Sequence, residues 1–100
     1  MAIETSEWDS TEVLQTPEAV AEYLAAALDA DDPAVFTHAL GVAARAKGIG
    51  EVASRAGVSR EGLYKALSEN GDPKLSTLFG VLRALGLSLS VRASGEAPTP

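Results

Sequence analysis

Apolar side chains recur at three- and four-residue spacing in separate stretches of the chain, the pattern of short helices that each bury one face. Val20, Tyr23, Leu24, Ala27 and Leu28 form the first stripe. Thr16-Pro17-Glu18 ahead of it is a helix start, with Thr16 as N-cap and Pro17 at the first helical position, where its missing N–H costs nothing. Asp31-Asp32-Pro33 ends that helix and begins the next by the same chemistry. Phe36, Ala39, Leu40 and Ala43 carry the second stripe, closed by Gly48 after Lys47. Residues 49–68 read as two shorter helices on either side of Gly57. Asn70-Gly71-Asp72-Pro73 is a turn cluster, and Leu75, Leu78, Phe79, Leu82 and Leu85 make a fifth helix that stops at Gly86.

After Gly86 the period changes to two. Leu87, Leu89 and Val91 point one way, Ser88, Ser90 and Arg92 the other, as in a short strand. A strand with a buried face needs a backbone partner, either the N-terminal arm or the same strand of a second subunit. The second option gives a two-fold dimer and marks Leu87, Leu89 and Val91 as dimerisation residues. Residues 1–15 hold no sustained period and read as an extended arm in which Trp8, Val13 and Leu14 are the anchors. The expected organisation is therefore an arm over 1–15, a domain over 16–92 and a disordered tail over 93–100. The expected class is all-α, five helices with a short C-terminal β-strand.

The pair hinged at Gly57 is the most specific feature. Val52, Ala56, Leu63 and Ala66 face inward, and Ala53 is small where the two helices come closest. Gly57 can take the positive φ of a sharp helix ending, and Ser59 caps the second helix. These spacings are those of a helix-turn-helix that braces its second helix in the DNA major groove. With Leu63, Ala66 and Leu67 on the inner side, Arg60, Glu61, Tyr64, Lys65 and Ser68 project outward. Arg60 suits a bidentate pair with guanine, worth roughly 1–3 kcal/mol of discrimination, and Lys65 suits a phosphate. Tyr64 suits a phosphate or a thymine methyl, Lys74 beyond the turn suits the DNA backbone, and the helix starts near Gly50 and Ser59 offer free N–H groups. Glu61 accepts from cytosine or complements its helix dipole, the latter being favoured. Gly62 costs about 1 kcal/mol inside a helix, for close approach either to a neighbouring helix or to DNA.

The net charge of −6 at first opposes a nucleic-acid partner. Its distribution changes that picture. Residues 1–44 hold nine acidic side chains and no Lys or Arg, whereas residues 45–100 hold all eight basic side chains against five acids. Two surfaces with different partners are expected, unless the acids merely solubilise the first helix.

Other chemistry is thinly represented. The chain has no cysteine, which excludes a disulfide framework and thiolate metal sites. His38 lies nearly opposite the second stripe with no His, Cys or Asp spacing nearby to make a metal or catalytic site, and is expected in solvent or facing a partner. No nucleophile motif, phosphate-cradling loop or zinc spacing occurs, so no catalytic residue, metal or cofactor is expected. The first residues lack a basic segment followed by an apolar run, and no apolar stretch approaches the ~20 residues of a membrane span. A soluble, cytoplasmic protein is the expectation.

From Thr16 through Val91 the chain resembles the small HigA-like antitoxins, often labelled probable addiction module antidote proteins, of the lambda-repressor-like helix-turn-helix superfamily. The likeness rests on Thr16-Pro17-Glu18-Ala19, Asp32-Pro33-Ala34, the run from Gly57 to Ser68, and Leu82-Arg83-Ala84-Leu85-Gly86-Leu87. It covers about three quarters of the chain, and the run from Ser59 to Leu67 is its most specific part. The resemblance implies a bacterial type II antitoxin that binds and silences a RelE/ParE-like toxin and represses its own operon as a DNA-binding dimer. It makes Ser59, Arg60, Tyr64 and Lys65 the operator readers. The acidic first half would complement a basic toxin. A stand-alone Cro-like repressor and a protein-interaction module without DNA affinity are the alternatives.

Overall fold

Five α-helices account for the regular structure of residues 16–95, the part of the chain described by the computed structural model. In order they are α1 (Pro17–Leu28), α2 (Pro33–Lys47), α3 (Ile49–Ala56), α4 (Arg60–Ala66) and α5 (Leu75–Ala84). The expected arm over 1–15, anchored by Trp8, Val13 and Leu14, lies outside the described residues, as does 96–100 of the expected tail.

Local chemistry sets the helix ends. The Thr16 hydroxyl accepts from the Ala19 N–H at 3.1 Å and the Asp32 carboxylate from the Ala34 N–H at 3.0 Å, each with proline at the first helical position. Each cap satisfies a backbone donor that the helix itself cannot. Asp31 takes φ +55° in the α1–α2 turn, a conformation Asp tolerates better than most side chains. Both α3 and α5 end in a Schellman motif on a left-handed glycine. Across Gly57 (φ +77°), Val58 N–H donates to the Ala53 carbonyl at 3.0 Å and Gly57 N–H to Ser54 at 3.3 Å. Across Gly86 (φ +80°), Leu87 donates to Leu82 at 2.8 Å and Gly86 to Arg83 at 3.0 Å.

The core is one continuous cluster in which Leu40, Val52, Leu63 and Val81 are the largest fully buried side chains. They come from α2, α3, α4 and α5, so each of these helices contributes a central residue. Val20 and Leu24 bring α1 onto the same cluster, where it packs against α2. The most extensive helix pairing joins α3 to α5. Small residues permit it: a Cβ on Gly80 would lie 2.9 Å from the Cβ of Ala56 and 3.0 Å from its Cα. The expected inner residues of α3 and α4 are inside, with Val52, Ala53, Leu63 and Leu67 buried and Ala56 and Ala66 half-buried.

Two expectations are revised. The stripes of α1 and α5 are wider than the faces they bury, since Leu28 is 54%, Leu75 65% and Phe79 44% exposed. Leu28 ends its helix and Leu75 starts its own. The strand after Gly86 does not form among the described residues. Leu87 completes the α5 cap and packs on the core, and the residues that follow it adopt no helix or strand.

Candidate nucleic-acid interface

Three residues, 57–59, separate α3 from α4, and their geometry decides what α4 displays. The left-handed Gly57 turns the chain, and Val58, half-buried, packs against the core. Ser59 then accepts from the Gly62 N–H at 2.9 Å and starts α4 at Arg60. Leu63 is the one fully buried side chain of α4, with Leu67 buried just beyond its end. That anchoring turns the opposite face of the helix outward.

Arg60, Glu61, Tyr64 and Lys65 are all exposed, and their spacing places them on one face of α4. They are four of the five residues expected to project outward; the fifth, Ser68, is half-buried. Among the described residues the one ion pair is Arg55–Glu51 at 3.3 Å, four residues apart on the surface of α3. Arg60, Lys65 and Lys74 therefore have no acidic partner among the described residues. Arg55 is already partly neutralised, although an exposed pair of this kind contributes only about 0.3–0.5 kcal/mol.

The remaining predicted residues are placed differently. Ser59 commits its acceptor to the cap, leaving its hydroxyl proton for an outside partner. The Ser68 hydroxyl donates to the Lys65 carbonyl at 2.7 Å, so it finishes α4 and offers only acceptor capacity outward. Lys74 is exposed at the N-cap position of α5, beyond the turn and off the α4 face. A Cβ on Gly62 would meet the Ser59 hydroxyl at 2.9 Å and no neighbouring helix, so close approach to another helix does not account for this glycine.

Leu87, Leu89 and Val91, expected at a dimer contact, follow the last helix. Leu87 is half-buried, Leu89 47% exposed and Val91 97% exposed. Two of the three are thus exposed apolar side chains beyond the last helix. His38 is exposed, and no cluster of His, Asp and Glu able to hold a metal occurs among the described residues. No helix of the described residues is long and apolar enough to cross a membrane.

Reasoning from the stripes missed the surface around Leu28, Phe36, Phe79 and Leu89, because it assigned the first three to the core. Open apolar grooves line up along these residues. The available signal was the excess of apolar positions at the end of α1, one helical turn before two consecutive aspartates.

Comparison with known proteins adds two matches. A family model described as "Probable addiction module antidote protein" matches residues 4–93. A protein of Haemophilus influenzae, described as "Uncharacterized protein", is 39% identical over 94 residues, which span 94% of this chain and 97% of the relative. No solved structure matches the chain.

Proposed function

The chain belongs to the family of probable addiction module antidote proteins, and from that premise we propose that it is a type II antitoxin that also represses its own operon. The toxin it neutralises is a small basic protein of the RelE/ParE-like kind. The operator is read by α4 acting as the second helix of a lambda-repressor-like helix-turn-helix, in a homodimer paired through the edge at Leu87, Leu89 and Val91. The role is one of binding in the cytoplasm and uses no catalysis, metal or cofactor.

The observation that carries the DNA half is the face of α4. Arg60, Tyr64 and Lys65 stand together on a helix that is held by Leu63 on its other side. Arg60 offers the planar fork that guanine accepts bidentately, Lys65 a point charge for phosphate, and Tyr64 a hydroxyl beside an apolar ring. Ser59 and Lys74 add phosphate contacts before and after this face, while Glu61 complements the α4 dipole in its first turn. A two-fold dimer presents two such faces to two half-sites one helical turn apart.

The antitoxin half is tested by expressing the neighbouring reading frame of the operon with and without this chain. Growth arrest by the neighbour alone, relieved by co-expression, is the expected result. Arrest that co-expression leaves unrelieved contradicts it. The net charge of −6 favours a second reading, a protein-interaction module without DNA affinity. Promoter binding separates the two.

A further inference from the structure

An apolar surface that α3 and α4 do not contribute to remains open. Three adjoining grooves run between α1, the start of α2, α5 and residues 87–90, and all share Leu89. Leu28 and Leu89 are about half exposed there, and Phe36 is half-buried beneath them. At ~100° per residue, Leu24, Leu28, Ala21 and Ala25 follow one another around α1 from its buried edge outward, all lining the groove. Glu18, Asp29 and Glu22 come next on the same turn of the helix wheel, all exposed. Asp31 and Asp32 close the groove beyond the end of α1. Arg83, at the Phe79 end, is the one cation among the described lining residues.

We propose that this groove is the docking site for a basic amphipathic helix of the partner protein. Apolar side chains of that helix would seat on Leu24, Leu28 and Phe36, and its Lys or Arg side chains would meet Glu18, Glu22, Asp29 and Asp31. Recognition of one helix by an apolar groove gives affinity, and the acidic rim selects the sign of the partner. A second copy of this chain fits poorly, because a two-fold contact would set the two acidic rims against each other. The first fifteen residues also fit poorly, since they hold Glu4, Glu7, Asp9 and Glu12 and no Lys or Arg. The inference rests on the antitoxin reading, and it locates the toxin on a surface that α4 does not share. Leu87 and Leu89 line the grooves and belong to the proposed dimer contact as well, so the partner helix is placed at the Leu24, Leu28 and Phe36 end; Val91 lines none of the grooves and lets the dimer contact be altered separately.

The test is an NMR titration of the full chain with two amphipathic peptides of about five helical turns. Both carry leucine on one face; one carries lysine and the other glutamate on the opposite face. The lysine peptide should shift the amides of Leu24, Leu28 and Phe36 in a saturable way, leave α4 unshifted, and bind at least ~10-fold tighter than the glutamate peptide. Leu28→Lys, at an exposed position that the fold does not need, should abolish the shifts. Shifts confined to α4, equal binding of both peptides, or full binding by Leu28→Lys overturns the proposal. So does concentration-dependent self-association lost in Leu28→Lys, which assigns the groove to a second copy. A Trp8 indole resonance moved by Leu28→Lys assigns it to the chain's own first residues and overturns it equally. In the co-expression assay, relief of arrest by Leu28→Lys and Glu22→Lys/Asp29→Lys as complete as by the native chain also overturns the groove while the antitoxin reading stands. If the native chain itself gives no relief, that reading fails and the peptide titration still decides the groove.

Discussion

Gly80 of α5 faces Ala56 of α3 so closely that a Cβ on the glycine would lie 2.9 Å from the alanine's Cβ. The contact lies within the most extensive helix pairing of the domain and so fixes the helix from which α4 is hung. Gly80→Ala gains helix propensity but forces two backbones apart, and overpacking of this kind costs about 1–3 kcal/mol. A fall in Tm of at least ~4 °C is expected in thermal unfolding. Gly50→Ala is the control: it is exposed in α3 with nothing within 4 Å of its Cβ position, and it should stabilise by up to ~1 kcal/mol. Equal stabilisation by the two substitutions would mean that α3 and α5 are not in this contact.

The Ser59 cap separates stability from recognition. Ser59→Ala removes the acceptor of the Gly62 N–H and should cost about 1 kcal/mol. Ser59→Asp keeps an acceptor and should unfold close to the native temperature. Its carboxylate would nevertheless stand where phosphate is expected, so promoter affinity should fall by at least ~10-fold. Denaturant unfolding and fluorescence anisotropy read the two effects independently.

The helix boundaries were legible in the chain because they are local. Thr16-Pro17, Asp32-Pro33, Gly57, Ser59 and Gly86 each satisfy or relieve specific backbone groups, and no distant residue is needed to recognise them. The outward set on α4 was legible for a related reason, since Leu63 and Leu67 settle which way that helix turns. What could not be read was how far neighbours extend. An apolar stripe gives the direction of the core but not its reach, so Leu28, Leu75 and Phe79 looked internal. The Gly80–Ala56 approach joins residues distant in sequence and leaves no local mark. Residues 87–92 alternate like a strand, yet alternation alone supplies no ladder partner.

Arg60 and Lys65 should fail in different ways. Arg60→Ala would remove the proposed base contact and should cost roughly 1–3 kcal/mol on the operator while sparing random DNA. Lys65→Ala would remove the proposed phosphate contact and should weaken both alike, lowering the salt slope by about one. Binding measured on operator and scrambled DNA checks the pair. Identical behaviour of the two variants would place the reading face elsewhere.

Val91 tests the dimer without disturbing the fold, because it is 97% exposed. Val91→Lys would add a charge to the proposed dimer contact and should convert dimers to monomers by light scattering at micromolar concentration. Promoter affinity should fall with it, since each monomer then holds a single half-site. An unaltered dimer would place the self-contact on another surface.

The most direct test of the account is the affinity of the native chain for its own promoter, measured against scrambled DNA over a series of salt concentrations. A protein of net charge −6 has no general attraction for DNA, so binding must come from the α4 face. The account predicts a promoter preference of at least ~100-fold and an affinity that falls steeply as salt rises. Equal affinity for the two DNAs, or no binding at low salt, would contradict it.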